Sequence, residues 1–149
     1  MKPIKTVQDT LGDNMDLYKK DSLFMCPAMS LFLRTYAEII DKGWANPNVT
    51  WDNKNRVVWA QKGDRIVGGI CYDYKNENKT SWIVLSFVEP DQRGRRIYES
   101  LHQLLEYETK AVGGKHIASL VHVDNVSRQR SADRVGMKPQ FYRMYKKLT

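Results

Sequence analysis

Arg93, Arg95 and Arg96 crowd around Gly94 just after Pro90. Guanidinium groups present paired donors that match phosphate oxygens. An apolar run, Trp82 to Val88, stops at this proline, and a helix is expected to begin at about Gly94. A strand that passes to a helix N-terminus through such a loop gathers free backbone N–H groups, a favourable dipole end and fixed positive charge. That combination binds anions, and phosphate suits it best. One exposed contact at a helix terminus gives only about 0.3–1 kcal/mol, so several must act together, as a pyrophosphate allows.

Other reactive residue types carry less. Cys26 and Cys71 are far apart, sit in apolar surroundings and match no metal or redox spacing, so both read as buried thiols. His102 and His116 show no metal spacing and are given no role; no metal site is expected. Arg128, Arg130 and Arg134 recur on one side of a helix, which would suit nucleic acid, but no stacking aromatics are interleaved with them. A solvated helix face is the ordinary explanation.

The elements that position these residues follow from periodicity. Ile4 to Gln8 is a candidate first strand, and Asp9 to Cys26 hints at helix through Leu11, Met15, Tyr18 and Leu23. After Pro27, Leu31, Leu33, Tyr36, Ile39 and Ile40 form a helical stripe ending near Gly43. Residues 44–54 read as loop. Arg56 to Gln61 and Arg65 to Tyr74 are strands joined by Lys62-Gly63-Asp64, a good hairpin turn. Ser81 to Val88 is apolar on both faces, as a central strand should be. Ile97, Leu101, Leu104, Leu105 and Ala111 place a helix from about Gly94 to Val112, stopped by Gly113-Gly114. Ile117 to Val123 is a strand that must run parallel to the one before the helix. Asn125 caps a further helix closing at Gly136-Met137, and Phe141 to Leu148 is a last strand.

This order resembles the GNAT superfamily of acetyl-CoA-dependent N-acetyltransferases, over roughly Arg56 to Leu148. In that family a Val-x-Pro strand end leads into Arg/Gln-x-x-Gly-x-Gly/Ala, whose amides hold the pyrophosphate of coenzyme A. Val88-Glu89-Pro90 matches the lead-in and Arg93 the first motif position, while the two family glycines fall on Arg96 and Tyr98. The resemblance implies a cofactor site made by Phe87, Val88, Arg93, Gly94, Arg95, Arg96, Ile97, Tyr98 and Asn125, with acetyl-CoA as cofactor. Gly136-Met137 resembles the family's Gly-Phe turn. The family's usual tyrosine acid and glutamate base fall here on Ala132 and Leu120. His122 is the nearest substitute base, since an imidazole titrates near neutral pH; Ser131 is a weaker candidate proton donor. Tyr72, Asp73 and Tyr74 are candidates for the acceptor side.

The fold class implied is α/β: a single GNAT-like domain over residues 1–149, with a mixed, mostly antiparallel sheet, a central parallel pair and helices on both faces. A chain of 149 residues with 42% hydrophobic content can bury one proper core. The net charge of +7 implies a polyanionic partner without naming it. No apolar run approaches a membrane span and the start lacks a signal-peptide core, so a cytoplasmic protein without a membrane partner is expected. The implied activity is acetyl transfer to an amine substrate, with a homodimer allowed and nucleic acid not expected. The competing expectation is a catalytically degenerate relative that binds a CoA-type ligand or a protein partner.

Overall fold

The computed structural model describes residues 1–45, 52 and 54–148. Most of the loop expected over 44–54 lies outside the described residues. The chain runs β1 (Lys5–Gln8), β2 (Asn14–Lys20), α1 (Met29–Asp41), β3 (Arg56–Lys62), β4 (Arg65–Lys75), β5 (Thr80–Val88), α2 (Ile97–Ala111), β6 (His116–Ser119) and α3 (Val126–Arg134). The strands form one sheet in the order of the sequence. Every neighbouring pair is antiparallel except β5 and β6, which are parallel.

Alternation explains the two-sided core. On β3, Val58 and Ala60 face the α2 side with Leu101 and Leu105, whereas Val57 and Trp59 face the α1 side with Phe32 and Phe87. Helices therefore cover both faces. Gly69 makes the α1 contact possible: a Cβ there would lie 2.7 Å from Phe32 Cζ and 3.0 Å from Phe87 Cε1. Phe32 and Phe87 meet edge to face at 5.0 Å. Cys26 and Cys71 are buried in the same layer, and desolvation pushes the Cys26 thiol up to about 11 and the Cys71 thiol higher still.

Three expectations need correction. The segment after Asp9 holds a strand and, at Leu23–Met25, only a single 3-10 turn: Met15 and Leu17 are both buried, two residues apart, and β2 pairs with β1 and β3. The period of two decided the matter, not the looser spacing of Leu11, Met15 and Tyr18. The strand expected to reach Val123 ends at Ser119, and Leu120 and Val123 are exposed. The last strand, Phe141 to Leu148, does not form. Those residues are unpaired, and Phe141, Tyr142 and Met144 are exposed. Without that strand the parallel pair lies at the edge of the sheet rather than at its centre. Among the described residues, no helix is long and apolar enough to cross a membrane.

Candidate functional site

β5 and β6 pair only from Thr80↔His116 to Ile83↔Ser119. Beyond that point they part, and among the described residues the edge of β5 from Val84 to Val88 faces no strand on that side. The gap opens into a cavity of about 1070 Å³. Phe87 and Val88 form one wall; Leu120, Val121 and His122 form the opposite one. Arg93, Gly94, Arg96, Ile97 and Tyr98 close the end at the head of α2, and Asn125 and Ser131 line the α3 side. The structure thus brings together every residue expected at the cofactor or catalytic site except Arg95.

The loop at this end is built to leave its amides free. Pro90 to Gln92 make a single 3-10 turn, and Gly94 takes φ +78. Arg96 caps α2 in the left-handed region at φ 61, the conformation that favours glycine and costs an ordinary residue about 1–2 kcal/mol. The backbone N–H groups from Gly94 to Glu99 donate to no acceptor among the described residues. A row of unpaired amides at a helix N-terminus is an anion cradle.

Neighbouring elements hold the cradle in place. Glu89 N–H donates to Val67 O at 2.9 Å. Arg65 grips both oxygens of Asp91 at 2.7 and 2.6 Å and holds that carboxyl far below its usual range. Glu89 pairs with Arg34 of α1 and, at 3.8 Å, with Arg65. Lys62 bonds Gln92 Oε1 at 2.8 Å. Arg93 folds back so that its Nε donates to Val88 O at 3.3 Å. Arg95 points away from the cavity toward Asp9 (3.6 Å) and Asp13 (3.4 Å) in the β1–β2 turn. Its side chain fastens the loop, and only its N–H belongs to the cradle.

Of the two residues at the family glycine positions, Arg96 is exposed and lines the cavity. Tyr98 turns into the core and is buried. Over its ring, at 4.9 Å from the centroid, lies the guanidinium of Arg128. The supposed basic face of α3 therefore does not exist as such: Arg128 is turned inward and Arg134 pairs with Glu99 at 3.0 Å. Sequence reasoning missed Arg128 as a site residue. The available signal was its place in the turn opened by the Asn125 cap, whose Oδ1 accepts from Arg128 N–H at 3.2 Å.

The catalytic candidates lie on the α3 side. His122 follows β6 in a turn, stacked on Trp44 at 6.2 Å. Its Nδ1 accepts from Asp124 N–H at 3.0 Å and lies 3.8 Å from Asp124 Oδ2. Ser131 Oγ donates to Ser127 O and accepts from Arg134 Nη2 at 3.3 Å, so its proton is already engaged within the helix. Of Tyr72, Asp73 and Tyr74, only Asp73 lines the cavity; Tyr72 is packed in the core on the α2 side. Glu38, Trp44 and Trp82 line the cavity as well. Acids beside aromatic faces suit an ammonium group.

A sequence profile of the acetyltransferase (GNAT) family matches residues 25–137. Among curated proteins no sequence match is found. Solved structures are similar in fold. One is an aminoglycoside acetyltransferase from an uncultured soil metagenomic sample, in complex with trehalose (TM-score 0.67, 12% identity, covering 91% of this chain and 97% of that one). Another is a ribosomal-protein-alanine N-acetyltransferase from Brucella melitensis biovar Abortus 2308 (TM-score 0.67, 11% identity, 90% and 99%). A third is an aminoglycoside N-acetyltransferase in complex with coenzyme A (TM-score 0.61, 15% identity, 90% and 100%).

Proposed function

The chain belongs to the GNAT family of acetyltransferases, and on that premise we propose that it transfers an acetyl group from acetyl-CoA to an amine. The observation that carries this reading is the parting of β5 and β6 beside a run of free amides. The residues present fit the cofactor. The N–H groups of Gly94 to Glu99 would hold its diphosphate, the open edge of β5 at Phe87 and Val88 would run along its pantetheine arm, and Asn125 would face that arm from α3. Bound there, acetyl-CoA supplies an acyl group activated as a thioester.

The chain's own groups must then handle protons. A lysine-type amine of pKa about 10.4 is about 3.4 units too protonated at pH 7, about 4.6 kcal/mol to overcome. Asp73, paired with Lys75 at 2.9 Å, and Glu38, 3.9 Å from Arg34, would draw an ammonium group into the cavity by exchanging those partners for it, and His122 would take up its proton. For that, the imidazole exchanges its bond from Asp124 N–H for one from its own Nδ1–H to Asp124 Oδ2, now 3.8 Å away. The exchange frees the Nε2 lone pair to act as base. A β5 amide near Val88 would polarise the thioester carbonyl. Ser131 would serve as proton donor only by giving up its bond to Ser127 O.

The test is thiol release from acetyl-CoA across a panel of polyamines, amino sugars, lysine peptides and peptide N-termini, with thermal melting in parallel. Saturating acetyl-CoA should raise Tm by several degrees, and at least one amine should be acetylated. A second reading, a CoA-binding relative without catalysis, draws on Ala132 and Leu120 at the usual acid and base positions and on the engaged Nδ1 of His122. A Tm shift without turnover on any amine selects it. No shift at all removes both.

A further inference from the structure

Arg128 carries a charge that the protein hides and leaves unpaired. Both terminal guanidinium nitrogens are shut off from solvent and have no hydrogen-bond partner among the described residues. What the guanidinium has is the face of Tyr98, whose ring packs in turn against His102 at 5.9 Å. A ring face recovers only part of the hydration that a buried cation gives up, and burial accordingly pushes the Arg128 pKa down. The nearby acid on α2, Glu99, is taken by Arg134. Buried charges in stable proteins are ordinarily paired, so the missing partner is a question about the cavity that Arg128 lines.

Tyr98 answers it by position. Its N–H belongs to the free run at the head of α2, and its ring carries Arg128. Side chains on a helix lean toward its N-terminus, and Arg128 lines the same cavity as Gly94, Arg96, Ile97 and Tyr98. Unpaired donors of two kinds, main-chain and guanidinium, thus belong to residues lining one cavity. A diphosphate satisfies both, since its oxygens accept from the amides while the paired N–H groups of one guanidinium bridge two of them.

We propose that Arg128 is the side-chain arm of the anion cradle, moving from the Tyr98 ring onto the diphosphate held by the amides of Gly94 to Glu99. This rests on reading the cavity as an acyl-CoA site. It adds that affinity for the nucleotide half of the cofactor comes from α3 as well as from the loop, and that the empty protein keeps this arginine at a cost in stability.

The experiment is titration calorimetry and thermal melting of the full chain, comparing wild type with Arg128→Met and Arg128→Lys. The probes are coenzyme A, inorganic pyrophosphate and pantetheine. Arg128→Met should bind coenzyme A and pyrophosphate at least about tenfold more weakly, bind pantetheine as wild type does, and melt without ligand at the same temperature or higher. Arg128→Lys should recover part of the loss. Coenzyme A affinity within about twofold of wild type, an equal loss for pantetheine, or a fall in the ligand-free Tm would each overturn the assignment. Wild type that binds pyrophosphate in an Arg128-dependent way but not coenzyme A would keep the cradle and remove the acyl-CoA reading. Binding of neither would remove both.

Discussion

Lys62 Nζ lies 2.5 Å from Asp9 Oδ2, joining the tip of the β3–β4 hairpin to the β1–β2 turn directly beneath the anion loop. The same lysine reaches Gln92 of that loop, and Arg95 closes on the same aspartate. Asp9 also accepts from the N–H groups of Leu11 and Asp13. The lysine contact above all, helped by these amides, holds its carboxyl at about 2 against an ordinary 3.8. A carboxylate whose folded pKa is depressed contributes stability that is complete above the unfolded value and is lost as pH falls toward the folded one. Wild type should therefore lose Tm steeply between about pH 4 and pH 2. Asp9→Asn should melt lower at pH 7 and show a flatter acid limb; equal acid limbs would contradict the assignment.

Gly94 and Arg96 both take positive φ, so exchanging their residue types should give opposite signs. Gly94→Ala has open space around its Cβ yet must adopt φ +78, and it should lose about 1 kcal/mol. Arg96→Gly relieves φ 61 and restores the residue type usual in the family. It should be neutral or stabilising by up to about 1 kcal/mol, with coenzyme A affinity retained. Urea unfolding of both variants measures the difference, and destabilisation of Arg96→Gly would show that its side chain does more than cap.

Gly69→Ala tests the packing behind Phe87, which lines the cavity. The added methyl would overlap Phe32 and Phe87, and overpacking of this kind costs about 1–3 kcal/mol. The paired rings must shift, so cofactor affinity should fall together with Tm. A variant as stable as wild type would mean that the rings repack freely.

His122→Ala should cut turnover at least about tenfold with little change in coenzyme A affinity. Asp124→Ala should lower turnover less than that, because it removes the carboxylate that would accept from Nδ1–H after the exchange. An unchanged rate in Asp124→Ala would remove the exchange at Nδ1 from the reaction. Steady-state kinetics on the best amine of the panel decides both.

Short-range chemistry was readable from the sequence. The Lys62-Gly63-Asp64 turn, the Asn125 cap and the Pro90–Arg96 loop depend on residues close in the chain, and each stands where the sequence puts it. What depends on a partner was not readable. The alternation in Phe141 to Leu148 gives a capacity to be a strand but does not supply a neighbour. The inward turn of Arg128 follows from Tyr98 on another helix, so the residue read as one of three solvated arginines. Arg95 was expected among phosphate ligands because it stands beside Arg96. Its direction was decided by Asp9 and Asp13, eighty-odd positions earlier, at salt-bridge distance.

Both cysteines lie sealed beneath α1, with thiols too poorly solvated to ionise near neutrality. The folded protein therefore presents no readily ionised thiol among its described residues to thiol-directed reagents. In a reaction mixture containing it, the fast-reacting sulfhydryl is the one liberated by acyl transfer, and chromogenic disulfide reagents report turnover with little contribution from the catalyst itself.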